Sequence, residues 1–443
     1  MKCSRSAVAA FLALTIGACT PSKQQPEGEV TLTLYHWMEK DRTLWENEII
    51  KPFEESNPGI HVTLQTSPYA LYVSKSLTSI ASGNRLADLM FAEDWFGQEL
   101  IRKQYVRNLH PYVSRDLTVD EFNRETFTEW RGVGQKEDEL YGFPACLGLT
   151  VLFYNKDRFD AAGLPYPDTS WTYDDLVRVG KRLTVDENED GIPERWGLSF
   201  DVHYTGLETV LYSFDGRTLT DDSRRSVLSE PATLRGLRFI RDIFLSHRIA
   251  SNTTSFINPW ESFVGGRAAM ILIGSLGSMN LVGSPMNWDM TYPPRGPGGK
   301  RSSRRFTMAF MIPANSPHPD EAWKLLRWIL TKSPVEHLND QYMGMMPTYK
   351  PFTQSALWRE APPLHNRRLL VDLERESSFP LFTPAWQEWR DNNLTPELLL
   401  MIRGKKSVEE AAGDAERRIN AVLNRVYTQE HSDPTTHDPH RTR

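Results

Sequence analysis

The chain is poor in cysteine, in excess positive charge and in apolar runs long enough to cross a membrane. Its 443 residues include three cysteines, of which Cys3 and Cys19 lie in the first twenty residues and Cys146 lies in the body. Cysteines so placed build neither a disulfide framework nor a cysteine-based zinc site. The 51 Lys and Arg are outnumbered by 57 Asp and Glu, so the net charge of −6 offers no basic surface for nucleic acid or an anionic membrane. Nucleic-acid binding and a polytopic membrane protein are therefore excluded.

The remaining composition is that of a large globular protein. With 40% apolar and 24% charged residues, the chain exceeds the size at which a single core keeps growing, so two domains are expected. Aromatic residues make up 11% of the chain and include 13 tryptophans. Tryptophan is enriched over its usual share, which suggests that some indole faces serve as binding surfaces.

The first 29 residues predict export and a membrane anchor. Lys2 and Arg5 precede ten uncharged, mostly apolar residues at 7–16, which is the layout of a secretory signal. The next residues, ending in Gly17-Ala18-Cys19, resemble a bacterial lipobox, in which the cysteine is acylated and the chain is cut before it. We expect a signal peptide at 1–18, a lipid on Cys19 and a flexible tether at 19–29. Cleavage at an ordinary small-residue site, with Cys19 incidental, is the alternative. An exported protein is not expected to use intracellular cofactors, and we expect none.

From residue 30 onward, strand and helix patterns alternate. β-Rich runs at 30–37, 60–66 and 87–92 are separated by a charged helical stretch at 39–56 and by a second helix with one apolar face. This order predicts a parallel sheet covered by helices on both faces. Ligands of such sheets bind beyond the carboxyl ends of the strands, so the residues that follow each strand are site candidates. They are His36, Trp37, Ser67, Tyr69, Glu93, Asp94 and Trp95.

The rest of the chain continues the mixed pattern. Strands are predicted at 139–155, in a run ending at Gly274, and at 306–312, with a Pro-, Gly- and Arg-rich loop at 291–304 between the last two. Helices are predicted at 319–331 and after the capping pairs Thr172/Asp175 and Ser407/Glu410. The polar residues 429–443 predict a disordered tail.

Several segments, in the right order along the chain, resemble the extracellular solute-binding proteins of ABC importers, in the carbohydrate-binding family that includes the maltodextrin-binding proteins. The most telling segment begins YGFPACLGLTVLFYNKDRFDAAGLPYPDTSW, within 141–184. Others are FEESNPGIHVTLQTSPYA at 53–70, FVGGRAAMILIGS at 263–275, IPANSPHPDEAWKLLRWI at 312–329 and GKKSVEEAAGDAERRINAVL at 404–423. Together they cover nearly the whole mature chain, although family membership does not fix the sugar.

The resemblance implies a periplasmic-binding-protein-like α/β fold, with two α/β lobes joined by a hinge and a ligand cleft between them. The expected first lobe is 30–143 plus 290–332, and the expected second lobe is 146–286 plus 336–428. Such lobes close on the ligand because both contact it only in the closed state. The closed form is then presented to an ABC permease in the membrane, and we expect the protein to act as a monomer.

A sugar site needs carboxylates or amides for hydroxyl groups and aromatic faces for C–H patches. Asp94 and Trp95 supply both side by side. The resemblance places Asp94 at a ligand-binding aspartate, whereas Trp95 replaces a basic residue of the maltodextrin binders. A helix N-cap is the alternative role for Asp94. The other first-lobe candidates are His36, Trp37, Glu39, Tyr69 and Glu93. For His36 and Trp37, packing in the core is the alternative.

Candidates in the second lobe also follow strands. The resemblance places Asp201, His203 and Tyr204 in a polar and aromatic contact cluster. Gly274 and Ser275 end another strand, but Leu276 stands where the family has an aromatic residue, and Trp260 or Trp386 is expected to compensate. Trp386 aligns with a stacking tryptophan of the family, and we favour it for the pocket over Trp389. The alternative is that both tryptophans form one buried helix face.

The sequence contains one metal-like pattern and lacks several catalytic motifs. Asp186, Asn188 and Asp190 begin a calcium-loop pattern, but Gly197 stands where a bidentate Glu is needed, so an ordinary turn and no metal are expected. The usual zinc-protease, serine-hydrolase and phosphate-loop motifs are absent from the sequence. Cys146 lies in an apolar run and is expected to be an inert thiol.

The sequence therefore predicts a lipid-anchored, extracytoplasmic lipoprotein that faces the periplasm or cell exterior. It is expected to bind a mono- or oligosaccharide and to deliver it to an ABC permease, without enzymatic activity. A non-sugar polar solute such as a polyol phosphate is the alternative ligand. An exported glycosidase is a further alternative, because its paired carboxylates leave no local sequence signature. A surface adhesion protein of the same fold is the third.

Overall fold

The computed structural model describes residues 29–37, 42–132, 136–202, 205–251, 259–281, 283–332, 345–360, 366–378, 383 and 385–432. Ten strands form one mixed sheet, whose main path runs β2-β1-β3-β8-β4-β6-β5. The strands are β1 Val30–His36, β2 Ile60–Thr66, β3 Leu89–Glu93, β4 Phe143–Asn155, β5 Trp196–Phe200, β6 Ala268–Gly274, β7 Trp288–Thr291, β8 Ser303–Met311, β9 Met346–Pro347 and β10 Ser377–Ser378.

Helices flank both ends of this sheet. The α-helices that precede β8 are α1 Arg42–Leu44, α2 Lys51–Ser56, α3 Tyr69–Ala81, α4 Asp94–Arg102, α5 His110–Asp116, α6 Lys156–Ala161, α7 Tyr173–Leu183, α8 Thr205–Ser213, α9 Pro231–Leu245 and α10 Pro259–Val264. Those after it are α11 Pro319–Thr331, α12 Lys350–Thr353, α13 Ala356–Arg359, α14 Arg368–Glu374, α15 Trp386–Trp389, α16 Thr395–Ile402 and α17 Val408–Ser432. Short 3₁₀ turns lie at Val119–Glu121, Arg124–Trp130 and Ser275–Leu281, and π-helical turns at Trp45–Ile50 and Arg390–Leu394.

The first three strands form the parallel sheet that the alternating pattern predicts. β1 pairs in parallel with β2 along its whole length and with β3 at Leu34 and Tyr35. The side chains of β3 are buried from Leu89 to Ala92, and the strand gives way to α4 at Asp94. The carboxyl end of β3 therefore delivers Glu93, Asp94 and Trp95 to one edge of the sheet, as expected for a ligand site in this architecture.

Two long strands carry the chain between the lobes. β4 is buried at all thirteen positions, and its first half pairs antiparallel with β8. Its second half, from Thr150, pairs instead with β6 and β7. The register shifts at 144–146, where a proline interrupts the hydrogen-bond ladder, as is usual for proline at a bulge. β4 thus joins two structural units and lies within the strand expected at 139–155.

The second unit is built from β5, β6 and the helices around them. β5 and β6 pair in parallel, and helices α7, α8, α9, α16 and α17 contribute to one core. Both predicted capping boxes are present, because the side chains of Thr172 and Ser407 accept backbone hydrogen bonds while those of Asp175 and Glu410 accept in return.

The buried apolar side chains separate into two cores, which define the first and second lobes. Trp95 packs against both cores and so marks the seam between the lobes. The lobe ranges derived from the sequence remain predictions. Buried side chains at 345–373, which those ranges assign to the second lobe, pack in the first core.

Two local expectations need correction. The charged segment expected to be one helix at 39–56 contains a π-helical turn between two short α-helices. Its residues 39–41 lie outside the described chain. The disordered tail expected at 429–443 is wrong at its start, because α17 continues to Ser432. The signal peptide at 1–18, most of the tether and residues 433–443 lie outside the described residues. Among the helices that the structure describes, none is long and apolar enough to cross a membrane.

Candidate functional site

Two tryptophans face each other across the seam between the lobes. Trp95, in the first turn of α4, lies 6.0 Å from Trp386 of α15 by ring centroids, with the two planes 28° apart. Ala385 adopts a left-handed backbone conformation (φ 58°) directly before Trp386, which turns the chain into α15. The guanidinium of Arg390 lies 4.0 Å from the centre of the Trp386 ring. The seam therefore contains aromatic faces from both lobes, one of them covered by a cation.

Tyr69, Glu93 and Trp95 form a hydrogen-bonded group on the first-lobe side of the seam. The Tyr69 hydroxyl donates to Glu93 Oε2 at 2.6 Å, and Trp95 Nε1 donates to the same oxygen at 3.0 Å. Burial raises the pKa of Glu93, while the hydrogen bonds from Tyr69 and Trp95 oppose that rise. Glu93 thus fixes the orientation of the Trp95 ring and keeps a second carboxylate oxygen beside it.

Asp94 is buried, with 1% of its surface exposed, at the start of α4. Its Oδ1 accepts the backbone N–H of Trp95 at 2.8 Å, and its Oδ2 accepts that of Thr307 at 3.4 Å. Burial raises the pKa of Asp94 to about 7; the charge of Arg304 opposes the rise, and those of Glu129 and Glu93 add to it. Asp94 is thus the first residue of α4 rather than the N-cap that was its alternative role, since the N-cap position is Glu93, and its carboxylate belongs to a buried charged cluster.

The charged cluster continues into the second lobe through Arg304 of β8 and Glu208 of α8. Arg304 Nε donates to Glu208 Oε2 at 2.9 Å, and Arg304 Nη1 lies 3.6 Å from Asp94 Oδ2. Burial raises the pKa of Glu208, and the charge of Arg304 opposes the rise. Sequence reasoning missed Arg304, Glu208 and Arg390. One signal was available, because consecutive arginines beginning a strand that is otherwise buried are unusual and call for buried partners.

The other predicted residues of the second lobe surround the start of α8. Asp201 Oδ2 accepts the backbone N–H of Thr205 at 3.2 Å, so its carboxylate caps this helix. The N–H of Gly274 donates to the Thr205 hydroxyl at 3.1 Å, and Ser275 Oγ accepts the N–H of Leu149 at 3.2 Å. These three residues hold α8, β6 and β4 together. Glu39, His203 and Tyr204, also predicted as ligand contacts, lie outside the described residues.

Three of the predicted aromatic or imidazole contacts pack within the first core. His36 is fully buried with its ring 4.7 Å from Trp45, and burial together with the charge of Arg42 lowers its pKa to about 3. Trp37 stacks on Phe91 at 5.3 Å. Trp260 packs at 5.3 Å from Phe153. The packing alternative therefore describes the surroundings of His36, whereas Trp37 is partly buried and also packs edge-on against Tyr69 at 5.3 Å.

Trp386 and Trp389 differ in the way that the sequence analysis favoured. Trp389 is 2% exposed and donates from Nε1 to the Thr383 hydroxyl at 2.6 Å, so it is fixed inside the second core. Trp386 is also buried in that core, with 5% of its surface exposed, and its ring faces Trp95 across the seam. Of the two, Trp386 is the one whose ring faces the other lobe.

The remaining sequence candidates concern metals and thiols. In the 186–191 loop, Asp186 Oδ2 accepts the N–H of Gly191 at 2.8 Å, and Asn188 and Asp190 likewise accept backbone N–H groups of the loop. Within the described ranges, no group of three or more His, Cys, Asp or Glu residues is placed to hold a metal ion. Cys146 is buried, and burial raises the pKa of its thiol, as expected for an inert cysteine. Cys19 lies outside the described residues.

A two-lobed α/β fold with aromatic and carboxylate groups at the seam defines the class of periplasmic-binding-protein-like solute-binding proteins. The sequence profile of the bacterial extracellular solute-binding proteins matches residues 39–336. The chain belongs to this family.

Known proteins agree with this assignment over most of the chain. A binding protein from Brucella abortus (strain 2308) is 23% identical over 405 residues, which cover 89% of this chain and 93% of the relative. An erythritol/L-threitol-binding protein from Mycolicibacterium smegmatis is 25% identical over 64% of this chain and 63% of its own. The structure of an ABC substrate-binding protein from Listeria monocytogenes in complex with cycloalternan superimposes with a TM-score of 0.78 at 21% identity, covering 89% of this chain and 99% of that one. That likeness shows the fold, which is the one predicted from the sequence.

Proposed function

We propose that this protein captures a carbohydrate between its two lobes by hinge closure and delivers it to an ABC permease. The observation that carries the proposal is the Trp95–Trp386 pair, which brings one indole from each lobe to the same seam. A sugar ring that packed against both indoles would contact both lobes at once. It would therefore stabilise the closed arrangement over the open one.

The polar groups beside the pair fit a hydroxylated ligand. Glu93 and Asp94 directly precede Trp95, and Tyr69 lies within hydrogen-bond distance of both Glu93 and the Trp95 ring nitrogen. Carboxylates accept paired hydrogen bonds from neighbouring hydroxyls, while indole faces cover the C–H patches of a sugar. The proposed ligand contacts are thus Tyr69, Glu93, Asp94, Trp95 and Trp386, with Arg390 over the outer indole.

The charge of the seam favours a neutral ligand over the alternative, a polyol phosphate. Carboxylates outnumber guanidinium groups there: Glu93, Asp94, Asp201 and Glu208 stand against Arg304 and Arg390. A phosphate would have to be buried beside these acidic groups, and each of them that is ionised would repel it in low-dielectric surroundings. One relative is named for erythritol and L-threitol, and a structural neighbour was solved with cycloalternan, both neutral compounds, whereas another neighbour was solved with glycerophosphocholine, a phosphodiester.

The mode of attachment follows from the first residues of the chain. A lipid on Cys19 would hold the protein at the outer face of a membrane, and the polar segment up to Glu29 would let the lobes reach a permease. We propose that the protein works there as a monomeric lipoprotein, without a cofactor and without turning over its ligand.

The test is a binding screen with the mature protein, beginning at residue 19. Isothermal titration with erythritol, tagatose, maltotriose, arabinotriose and glycerol 3-phosphate should show saturable binding of at least one neutral compound. Trp95→Ala and Trp386→Ala should each weaken that binding about tenfold or more, the loss expected when one aromatic face and its buried contact area are removed. Trp328→Ala is the matched control, because Trp328 is also partly buried but packs on Phe53 in the first core. Release of reducing ends from the oligosaccharides would instead indicate a glycosidase.

A further inference from the structure

Arg304 occupies the point at which a strand of the sheet passes between the lobes. It lies near the beginning of β8, whose later residues, Met308 to Met311, pair with β3 of the first lobe. The Arg304 side chain has no exposed surface. A guanidinium so placed has to be held by charged or polar partners, because an uncompensated buried cation costs several kcal/mol.

The second lobe holds Arg304 at two atoms. Its backbone N–H donates to the Thr209 hydroxyl of α8 at 3.0 Å, and its Nε donates to Glu208 Oε2 on the same helix at 2.9 Å. The backbone and the near end of the guanidinium are therefore fixed to one helix of the second lobe.

The far end of the guanidinium meets the first lobe. Arg304 Nη1 lies 3.6 Å from Asp94 Oδ2 at the beginning of α4, and the exposed fractions of the two side chains are 0% and 2%. The same Asp94 oxygen accepts the backbone N–H of Thr307, which also lies on β8. Between Arg304 and Thr307, the Arg305 side chain donates to Glu129. The ion pair thus spans the seam directly behind Trp95.

We propose that Arg304 is a positioning residue of the cleft, which couples closure of the lobes to the orientation of Asp94 for the ligand. This inference rests on the proposed function, because it takes Asp94 as a ligand contact. Held to the second lobe by Glu208 and Thr209, Arg304 reaches the Asp94 carboxylate only while the lobes are together. Closure therefore fixes the carboxylate that a sugar hydroxyl meets, and a bound sugar in turn holds the pair in place.

The charge of Arg304 also bears on the protonation of Asp94. The groups that face Asp94 are Arg304 from β8, Glu93 from β3 and Glu129 from the turn at Arg124–Trp130, with Glu129 itself paired to Arg305 at 2.6 Å. The carboxylates and burial favour the neutral acid, whereas Arg304 favours the ion, which accepts hydrogen bonds from hydroxyls. Loss of the Arg304 charge should therefore shift the ionisation of Asp94 to higher pH.

The first experiment needs no ligand. Unfolding free energies are measured for the wild type, Asp94→Asn, Arg304→Gln and the double variant. The inference predicts that the losses of the two single variants do not add, because each breaks the same buried pair. Strict additivity would show that the cross-lobe contact is absent and would overturn the inference, whether or not any sugar binds. If Arg304→Gln does not fold, Arg304→Met, which also removes the charge, takes its place in the cycle.

The second experiment measures affinity for maltotriose and erythritol by titration calorimetry between pH 5.5 and 8.5. Arg304→Gln should weaken binding about tenfold or more at pH 7 and should move the midpoint of the pH dependence upward. Arg304→Lys, which keeps the charge, should restore the midpoint. The control is Arg301→Gln, since Arg301 is 5% exposed and paired with Glu376, away from Asp94.

The outcomes separate the two proposals. Equal weakening at every pH with an unmoved midpoint, as expected for Arg301→Gln, would reduce Arg304 to a structural residue and contradict the inference. Failure of the wild type to bind either sugar or any compound of the wider screen would contradict the proposed function, while the unfolding cycle would still decide whether Arg304 holds Asp94.

Discussion

The two sides of the seam are assembled in different ways. The first lobe presents Glu93, Asp94 and Trp95 as consecutive residues at the end of one strand. Tyr69 of α3 is hydrogen-bonded to Glu93 and to Trp95. The second lobe presents groups that are distant in the sequence, namely Glu208 of α8 and Trp386 and Arg390 near the C-terminal helices. The first-lobe side of the seam is therefore contiguous in the sequence, and the end of one strand sets its geometry. The second-lobe side is composite, because its geometry depends on how several helices pack. Substitutions should therefore act differently on the two sides.

The largest effect is expected for Asp94→Asn on the contiguous side. This change keeps the shape of Asp94 but removes the negative charge that pairs with Arg304 and that accepts hydrogen bonds from hydroxyl groups. The affinity for a neutral sugar should therefore fall about a hundredfold. Titration calorimetry measures it. Asp94→Ala is less informative, because truncation removes both the charge that faces the buried Arg304 and the oxygens that accept the Trp95 and Thr307 N–H groups, and should destabilise the fold by about 3–5 kcal/mol. Retained affinity in Asp94→Asn would remove Asp94 from the site.

On the composite side, Trp386→Ala and Trp389→Ala should separate binding from stability. Trp386 faces the seam, so its loss should weaken sugar binding about tenfold with a smaller effect on unfolding. Trp389 is fixed in the second core, and its loss should cost about 3–5 kcal/mol of unfolding free energy. Denaturant unfolding and calorimetry of both variants test the pair. A reversal, with Trp389→Ala stable but unable to bind, would show that the wrong indole has been assigned to the seam.

The pH dependence should move binding and stability in opposite directions. Burial raises the pKa of Asp94 to about 7, so the folded state holds this proton more tightly than the unfolded state. The stability contribution is full below the unfolded value, near 3.8, and is lost as pH rises through about 7. The melting temperature of the wild type should therefore fall relative to that of Asp94→Asn between pH 5 and 8, while sugar affinity rises over the same range. Parallel melting curves for the two proteins would argue against a raised pKa.

A smaller effect is expected for the aspartate on the opposite side. Asp201 caps α8, so Asp201→Ala should cost about 1 kcal/mol of stability and leave sugar affinity within about twofold. Asp201→Asn, which preserves a capping oxygen, should behave like the wild type. If Asp201→Asn lost binding as Asp94→Asn is expected to, the two sides would share the ligand through matched carboxylates.

The smallest effect on affinity is expected for Cys19→Ser, which should have none. This variant should shift the protein from the membrane fraction to the soluble fraction after cell lysis, because the proposed lipid can no longer be attached. Immunoblotting of the fractions, with the wild type alongside, measures the shift. If the variant stayed in the membrane fraction, Cys19 would not be the residue that attaches the protein to the membrane.

The contrast between the two sides also explains what the sequence could predict. The parallel order of β1, β2 and β3 follows from local periodicity, and the rule for strand ends places Glu93, Asp94 and Trp95 at the seam, where the structure has them; their contact with a ligand is still a prediction. The family resemblance gave Trp386. Arg304 and Glu208 were not found, because their significance is a pairing between residues 96 positions apart inside the fold. His36 was expected near the ligand by the same strand-end rule, but packing against Trp45 places it in the core.

The proposal that a carbohydrate is held between Trp95 and Trp386 is tested most directly by tryptophan fluorescence. The mature protein is titrated with the neutral compounds of the screen, in parallel with Trp95→Ala, Trp386→Ala and the Trp328→Ala control. We predict a saturable change in the wild type and the control that is strongly reduced in both seam variants, with the sugar recovered intact. A saturable response that is unchanged in both seam variants would contradict the account.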